Sequence, residues 1–323
     1  MLPEFSYVKP ATLAEAVRLL AAPGARAHAG GTDLLGCLRD GVFGADTLVS
    51  LARLGELRGV RSALDGGLVV GAMTTLAEVA ANADVVARFP TLARAAAAAA
   101  SPQLRNQGTI GGNICQRPRC WYYRGEFHCA RKGGEKCYAF EGENQFHCIF
   151  GGEVCFYVHP SDTAPALVAL DAVVRIAGPA GARSVPAAEF FVPPGKDYTR
   201  ETVLQAGELV TEVVLPAQPG TVRGTYHKVR ARGAWDFALA GAAVALRLAD
   251  GRVEHARIAL SGVAPVPWRV PAAEQALAGK RLGASAASKA AVAAAAGAQP
   301  LAGNGYKVEL VRGAVEEAVL ALA

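Results

Sequence analysis

Ala29-Gly-Gly-Thr-Asp33 (AGGTD) and Thr109-Ile-Gly-Gly-Asn113 (TIGGN) are two small-residue turns about which the rest of the chain is arranged. Paired glycines let the backbone approach a ligand that a Cβ would hold off, and successive N–H groups at such a bend suit an anion. Two of these turns make a clasp for the diphosphate of a dinucleotide. Thr32 and Asn113 add side chains that either bond phosphates and sugar hydroxyls or steady the turns. Taken alone, AGGTD also reads as an ordinary strand-to-helix turn, with Ala25–Ala29 extended before it and Leu34–Arg39 helical after it. No GxGxxG follows a first strand, so a Rossmann nucleotide site has little support.

Outward from the clasp, strands and helices alternate irregularly. Pro3–Tyr7 reads as a short edge strand. Thr12-Leu-Ala-Glu15 and Thr75-Leu-Ala-Glu78 carry the capping-box pattern that opens a helix. Thr47–Ser50 is strand-like, Gly66–Gly71 reads as a strand leaving a tight turn, and the alanine-rich run Thr91–Ala100 is helical by propensity. Past residue 156, His159-Pro-Ser-Asp162 caps a helix running from Asp162 to Leu170, Ala172–Ile176 is a strand, and Glu208–Leu215 alternates as a strand ending at Pro216. A boundary falls at 217–220. Beyond it come three antiparallel strands (Gly224–Arg230, Ala238–Leu248, Val253–Ser261) and three helices at about 271–278, 284–297 and 308–322.

Six of the seven cysteines lie between Cys115 and Cys155, spaced C-x4-C-x8-C-x7-C-x10-C-x6-C. Their crowding argues against a dispersed disulfide framework. Without a C-x2-C pair, neither a zinc ribbon nor a bacterial ferredoxin run fits. A folded loop that gathers four thiolates round a [4Fe-4S] cluster does fit, with Arg117, Arg119, Arg124, Arg131, Lys132 and Lys136 compensating its negative charge. Zinc is the alternative occupant. His128 and His147 stand beside cysteines as further candidate ligands, although four thiolates complete a cluster without them. Cys37, on a helix, reads as a small buried hydrophobe.

Composition sets the outer limits. With 323 residues, 52% of them hydrophobic, the chain buries a substantial core. Its net charge of +5 comes from 33 basic and 28 acidic residues without a basic run, a solvated surface and not a nucleic-acid site. No apolar stretch has the length of a membrane span, and the first residues lack a secretory pattern.

AGGTDLL at 29–35, LRNQGTIGGN at 104–113, HPSD at 159–162 and KVRARGAWDFAL at 228–239 together resemble, in order and spacing, the FAD-binding medium subunits of the molybdenum hydroxylase (xanthine dehydrogenase) family. The resemblance spans nearly the whole chain. It implies an α+β architecture: a vanillyl-alcohol-oxidase-type FAD-binding fold of two α+β subdomains (about 1–56 and 57–218), then a C-terminal domain, 222–323, with a three-stranded antiparallel sheet and a helical bundle. It also implies FAD held by Ala29, Gly30, Gly31, Thr32 and Asp33, by Thr109, Gly111, Gly112 and Asn113, by Asp162 near the flavin's sugar chain, and by Lys228. Most such subunits run straight from TIGGN to the PSD element. The aldehyde oxidoreductase and 4-hydroxybenzoyl-CoA reductase branches insert a loop that binds an additional [4Fe-4S] cluster, and the insertion here, 115–156, is similar to that of the former. By that pattern Cys120, Cys129, Cys137 and Cys155 are the ligands, with Cys148 the rival to Cys155 and Cys115 spare.

The function so implied is electron transfer within a heterotrimer. Electrons from a molybdenum-cofactor large subunit pass through a [2Fe-2S] small subunit to FAD, and from there to an external acceptor. An aldehyde oxidoreductase is the first expectation, a 4-hydroxybenzoyl-CoA reductase-like or xanthine dehydrogenase-like enzyme the second, and a stand-alone FAD oxidase the alternative of another class. The complex is expected in the cytoplasm, or in the periplasm if a partner carries the export signal.

Overall fold

The computed structural model describes residues 1–218 and 222–323; of the expected boundary at 217–220, Pro219 and Gly220 lie outside the described residues. Three sheets carry the chain. β1 (Ser6–Val8), β2 (Ala25–His28) and β3 (Thr47–Ser50) form a parallel sheet in the order β1-β3-β2. The helix Leu13–Leu20 covers it, seating Ala16 and Leu20 in a core with Val49, Leu51 and Leu54. Thr12 caps this helix, but Glu15 reaches back to the N–H of Ala11, so the reciprocal capping box forms only at Thr75 and Glu78.

The second sheet is antiparallel, with β4 (Val60–Ser62), β5 (Leu68–Gly71), β6 (Val173–Gly178), β7 (Gly181–Pro186) and β8 (Leu209–Leu215) in the order β4-β5-β8-β6-β7. The edge strands β4 and β7 are largely exposed and polar, which is why no apolar alternation announces them. Helices Leu76–Ala81, Pro90–Ala98 and Thr163–Ala169 share a core with Leu68, Val70, Val174 and Val213.

The third sheet takes β9 (Val222–Val229), β10 (Ala240–Ala249), β11 (Arg252–Ser261) and β12 (Trp268–Arg269), antiparallel in the order β12-β11-β10-β9. It therefore has four strands where three are expected. Prolines at 265, 267 and 271 leave β12 too short to read as a strand, and Trp268 instead stacks on Phe150. β10 is buried on both faces, so it reads as a continuous run of small apolar residues. Ala243 and Ala245 join the core of the second sheet, while Ala242, Val244 and Leu246 face the C-terminal helices Pro271–Leu277, Ala284–Ala295 and Lys307–Leu320. Small side chains permit this closeness. A Cβ on Gly224 would lie 2.1 Å from Thr91 Oγ1, and enlarging Ala290, fully buried in the helical layer, would overpack it at a cost of roughly 1–3 kcal/mol. Among the described residues, no helix is long and apolar enough to cross a membrane.

Candidate cofactor sites

A cleft of about 880 Å³ opens between the first sheet's glycine turn, the TIGGN segment and the loop that joins β9 to β10, a size in the range of small-molecule sites. Ala29–Asp33, Thr109, Gly112, Asn113 and Asp162 line it. The two turns touch: a Cβ on Gly30 would sit 1.9 Å from the carbonyl oxygen of Gln107, so only glycine permits the approach. Gly31 has a φ of +73°, which turns the chain sharply into the helix Leu34–Arg39. Among the described residues, no acceptor takes the backbone N–H groups of Gly30, Gly31, Thr32 or Asp33. Four adjacent donors left over at a bend are a nest for an anion.

TIGGN behaves differently from a turn of free donors. It opens a short helix, Ile110–Ile114, capped by Thr109, whose hydroxyl accepts from Gly112 N at 3.1 Å. Gly111 donates to Ala72 O, and a Cβ there would meet Ala72 Cβ at 2.8 Å. Gly111 is thus a packing glycine behind the cleft. Asn113 Oδ1 accepts the hydroxyls of Ser161 at 2.6 Å and Thr163 at 2.7 Å, which fixes the amide and leaves Nδ2 as the group it offers the cleft.

Ser161, and not Asp162, caps the helix Thr163–Ala169, accepting from Ala164 N at 3.0 Å. The Asp162 carboxylate is released to accept from Tyr226 at 2.6 Å and from Lys228 at 2.8 Å, both contacts buried. Burial raises the pKa of Asp162 despite the opposing pull of Lys228. Lys228 stands behind Asp162, with Ala98 O as its second acceptor at 3.2 Å. Arg26, Arg117, Arg119 and Arg232 line the cleft, while its carboxylates are already engaged within the chain. Asp33 pairs with Arg119 at 2.9 Å and Arg124 at 2.7 Å, and Asp236 holds the N–H groups of Ala231, Arg232 and Phe237. A basic cleft with a donor nest fits a dinucleotide diphosphate.

The cysteine segment folds over this cleft. Cys120, Cys129, Cys137 and Cys155 line one small cavity, walled by Tyr122, Tyr123, Tyr138, Tyr157 and Arg131. The nearness of Cys137 and Cys155 lowers the pKa of one thiol, Cys137, and raises that of the other. Cys148 turns away: it is buried, its Sγ faces Gly152, and burial pushes its thiol up to about 12. Cys115 lines the cleft instead, and Cys37 packs with Val42, Tyr123 and Cys129. Among the described residues, no group of three or more His, Cys, Asp or Glu side chains is spaced for a single metal ion. A cluster, whose thiolates bind separate iron atoms at its corners, needs a wider spread.

Of the six basic residues nominated to balance the cavity's charge, only Arg131 lines it. Arg117 turns to Glu201, Arg119 and Arg124 to Asp33, Lys132 to the carbonyl of Gly125, and Lys136 to Glu141 in solvent. Glu201 is the residue that sequence reasoning missed. Buried, it bridges Arg117, which lines the cleft, and Arg131, which lies over the rings of Tyr123 and Tyr157 at 5.5 and 4.7 Å. A lone glutamate in a loop gave no signal. A second cavity, of about 420 Å³, adjoins the cleft, with Cys120, Trp121, Phe146 and His147 on one side and Asp162 and Phe237 on the other.

Comparison with known proteins bears on the family and the fold. Residues 3–218 match the family of the FAD binding domain in molybdopterin dehydrogenase, and residues 224–322 match the CO dehydrogenase flavoprotein C-terminal domain. The chain is 40% identical over 275 residues to the aldehyde oxidoreductase FAD-binding subunit PaoB of Escherichia coli, covering 84% of this chain and 85% of that protein. It is 33% identical over 325 residues to the carbon monoxide dehydrogenase medium chain of Hydrogenophaga pseudoflava, covering 98% and 96%. The solved carbon monoxide dehydrogenase from that organism superposes with a TM-score of 0.79 at 32% identity, over 100% of this chain and 98% of that one. Quinoline 2-oxidoreductase from Pseudomonas putida superposes with a TM-score of 0.78 at 28% identity, over 100% and 98%.

Proposed function

The chain belongs to the family of FAD-binding subunits of the molybdopterin dehydrogenases, and from that premise we propose that it is the FAD- and [4Fe-4S]-containing electron-transfer subunit of a heteromeric molybdenum-cofactor aldehyde oxidoreductase. Its partners are a molybdenum-cofactor large subunit and a [2Fe-2S] small subunit, and its electrons leave to an external acceptor. The names of the relatives, a FAD-binding subunit and a medium chain, support a place in a complex over a stand-alone oxidase. The 40% identity to an aldehyde oxidoreductase subunit supports the aldehyde class.

Within this reading the chain's own residues bind and position. The N–H groups of Gly30 to Asp33 receive the diphosphate, Thr109 and Asn113 Nδ2 face it from the second turn, and Asp162, held by Tyr226 and Lys228, fixes the sugar-chain end. Bound FAD would exchange electrons singly or in pairs, and a [4Fe-4S] cluster would pass them one at a time. Cys120, Cys129, Cys137 and Cys155 are the thiolates that would hold that cluster, with Arg131 as the buried counter-charge.

The observation that supports the cluster is the convergence of four thiols, scattered over 36 residues from Cys120 to Cys155, on one cavity beside the cleft. Arg119 lines the cleft and the next residue, Cys120, lines the cavity, so the two sites are neighbours. Iron and flavin analysis of the purified protein tests the reading, with about four iron atoms per FAD expected. Full flavin without iron would leave the FAD subunit and remove the cluster.

A further inference from the structure

His147 lies in the cysteine segment with its Nε2 3.3 Å from Cys120 Sγ. The ring is 3% exposed and packs against Trp121 and Tyr122 at centroid distances of 5.6 and 6.0 Å. Nδ1 is buried; the carbonyl of Asn144 lies near the ring, but among the described residues Nδ1 makes no well-aligned hydrogen bond. A neutral imidazole carries one N–H, and the position of that proton follows from its neighbours. On Nδ1 it would strand a donor at a dry atom and leave Nε2, a lone pair, facing a sulfur that carries no proton once it binds iron. On Nε2 it points at an anionic sulfur, a charge-assisted bond, and the only group left unmatched is the Nδ1 lone pair.

The ring is also held in place from the far end of the chain. Asn304 Nδ2 donates to the carbonyls of His147 and Cys148, each at 3.1 Å. Lys307 Nζ donates to the carbonyl of Phe146 at 3.1 Å and to that of Gly262 at 2.8 Å. Asn304 and Lys307 are 0% and 1% exposed. Asn304 and Lys307, at the start of the last helix, thus clamp the three-residue segment that presents the imidazole.

We propose that His147 is a positioning residue that donates an Nε2–H···S hydrogen bond to the Cys120 thiolate and so raises the reduction potential of the cluster bound there. The inference rests on the cluster reading above. Hydrogen bonds to ligand sulfurs draw off negative charge, which favours the reduced and more negative state. His147 is not itself a ligand, since Cys120, Cys129, Cys137 and Cys155 already supply four sulfurs. It also lines the second cavity, which places the donor between the cluster's ligand and the flank of the flavin cleft.

Redox titration of the purified, FAD- and iron-loaded protein, followed by the cluster's EPR signal, tests this. His147→Phe keeps a ring against Trp121 and Tyr122 and removes the donor. It is expected to retain iron and flavin while the cluster's midpoint potential falls and that of the flavin stays. His147→Gln returns an N–H of similar reach and is expected to recover part of the shift. A His147→Phe protein with full iron and an unchanged cluster potential overturns the inference alone, whereas an unaltered protein without iron removes the cluster reading and this inference with it. If His147→Phe loses iron, the unaltered protein still decides: an exchangeable proton and a histidine nitrogen coupled to the reduced cluster are expected, and their absence in ENDOR spectra overturns the proposal.

Discussion

Asp33 Oδ1 lies 2.7 Å from the Arg124 guanidinium, so the last residue of the first glycine turn is joined directly to the cysteine segment. The same carboxylate receives Arg119 at 2.9 Å and the backbone N–H of Arg117 at 2.7 Å. Three donors from one loop converge on one acid, so the first glycine turn and the cysteine segment are mechanically one unit. Asp33→Ala strands Arg124, whose side chain is only 13% exposed, and breaking such a pair costs about 3 kcal/mol. The variant is expected to lose iron and flavin together, read by metal analysis and absorbance. Loss of flavin with full iron would show that the two sites are held separately.

The glycines of the clasp make a sharper test. Gly30→Ala forces a Cβ to within 1.9 Å of Gln107 O, a backbone atom that cannot swing aside, whereas nothing lies within 4 Å of a Cβ at Gly44. Gly30→Ala is expected to weaken FAD binding at least tenfold, about 1.4 kcal/mol, and Gly44→Ala to leave it unchanged. Equal flavin retention in both proteins by fluorescence titration would count against the first turn as the diphosphate site.

These contacts show which part of the molecule is legible in its sequence. The first glycine pair was readable as a turn between a strand and a helix, and β10 as a strand because its long run of small apolar residues dominates local pattern. What was not readable depended on distant partners. Within the capping element His159–Asp162 the pattern does not say which side chain caps; Ser161 does, because Tyr226 and Lys228, more than sixty residues away, claim the Asp162 carboxylate. The arginines of the cysteine segment read as one pool of charge, yet Asp33 and Glu201 draw Arg117, Arg119 and Arg124 away from the cysteine cavity. Spacing alone left Cys148 and Cys155 equivalent, and only the fold turns one thiol into the cavity and the other toward Gly152.

That difference in direction predicts the outcome of cysteine replacement. Cys129→Ser and Cys155→Ser are expected to lose most of the iron while keeping FAD, and Cys148→Ser and Cys115→Ser to keep both. The measurement is iron per flavin in the four purified variants. Iron loss in Cys148→Ser with retention in Cys155→Ser would reverse the ligand assignment.

Lys307 predicts a pH dependence of stability. Its ammonium is buried with only carbonyl oxygens as acceptors, and burial lowers its pKa from 10.5 to about 7. Between those values the unfolded chain binds more protons than the folded one, so this group's contribution to stability rises with pH from about 7 toward 10.5 and is unfavourable below that window. Lys307→Met removes the titration. Lys307 also acts on His147 and Cys148, but these titrate at about 4 and about 12, outside the range measured, so the difference between wild type and Lys307→Met isolates this group. Wild type is expected to gain on the order of 2 kcal/mol relative to Lys307→Met between pH 7 and pH 9.5, read from urea denaturation at the two values. A constant difference across that range would mean that the ammonium stays charged in the folded protein, and that its two carbonyl hydrogen bonds outweigh its burial.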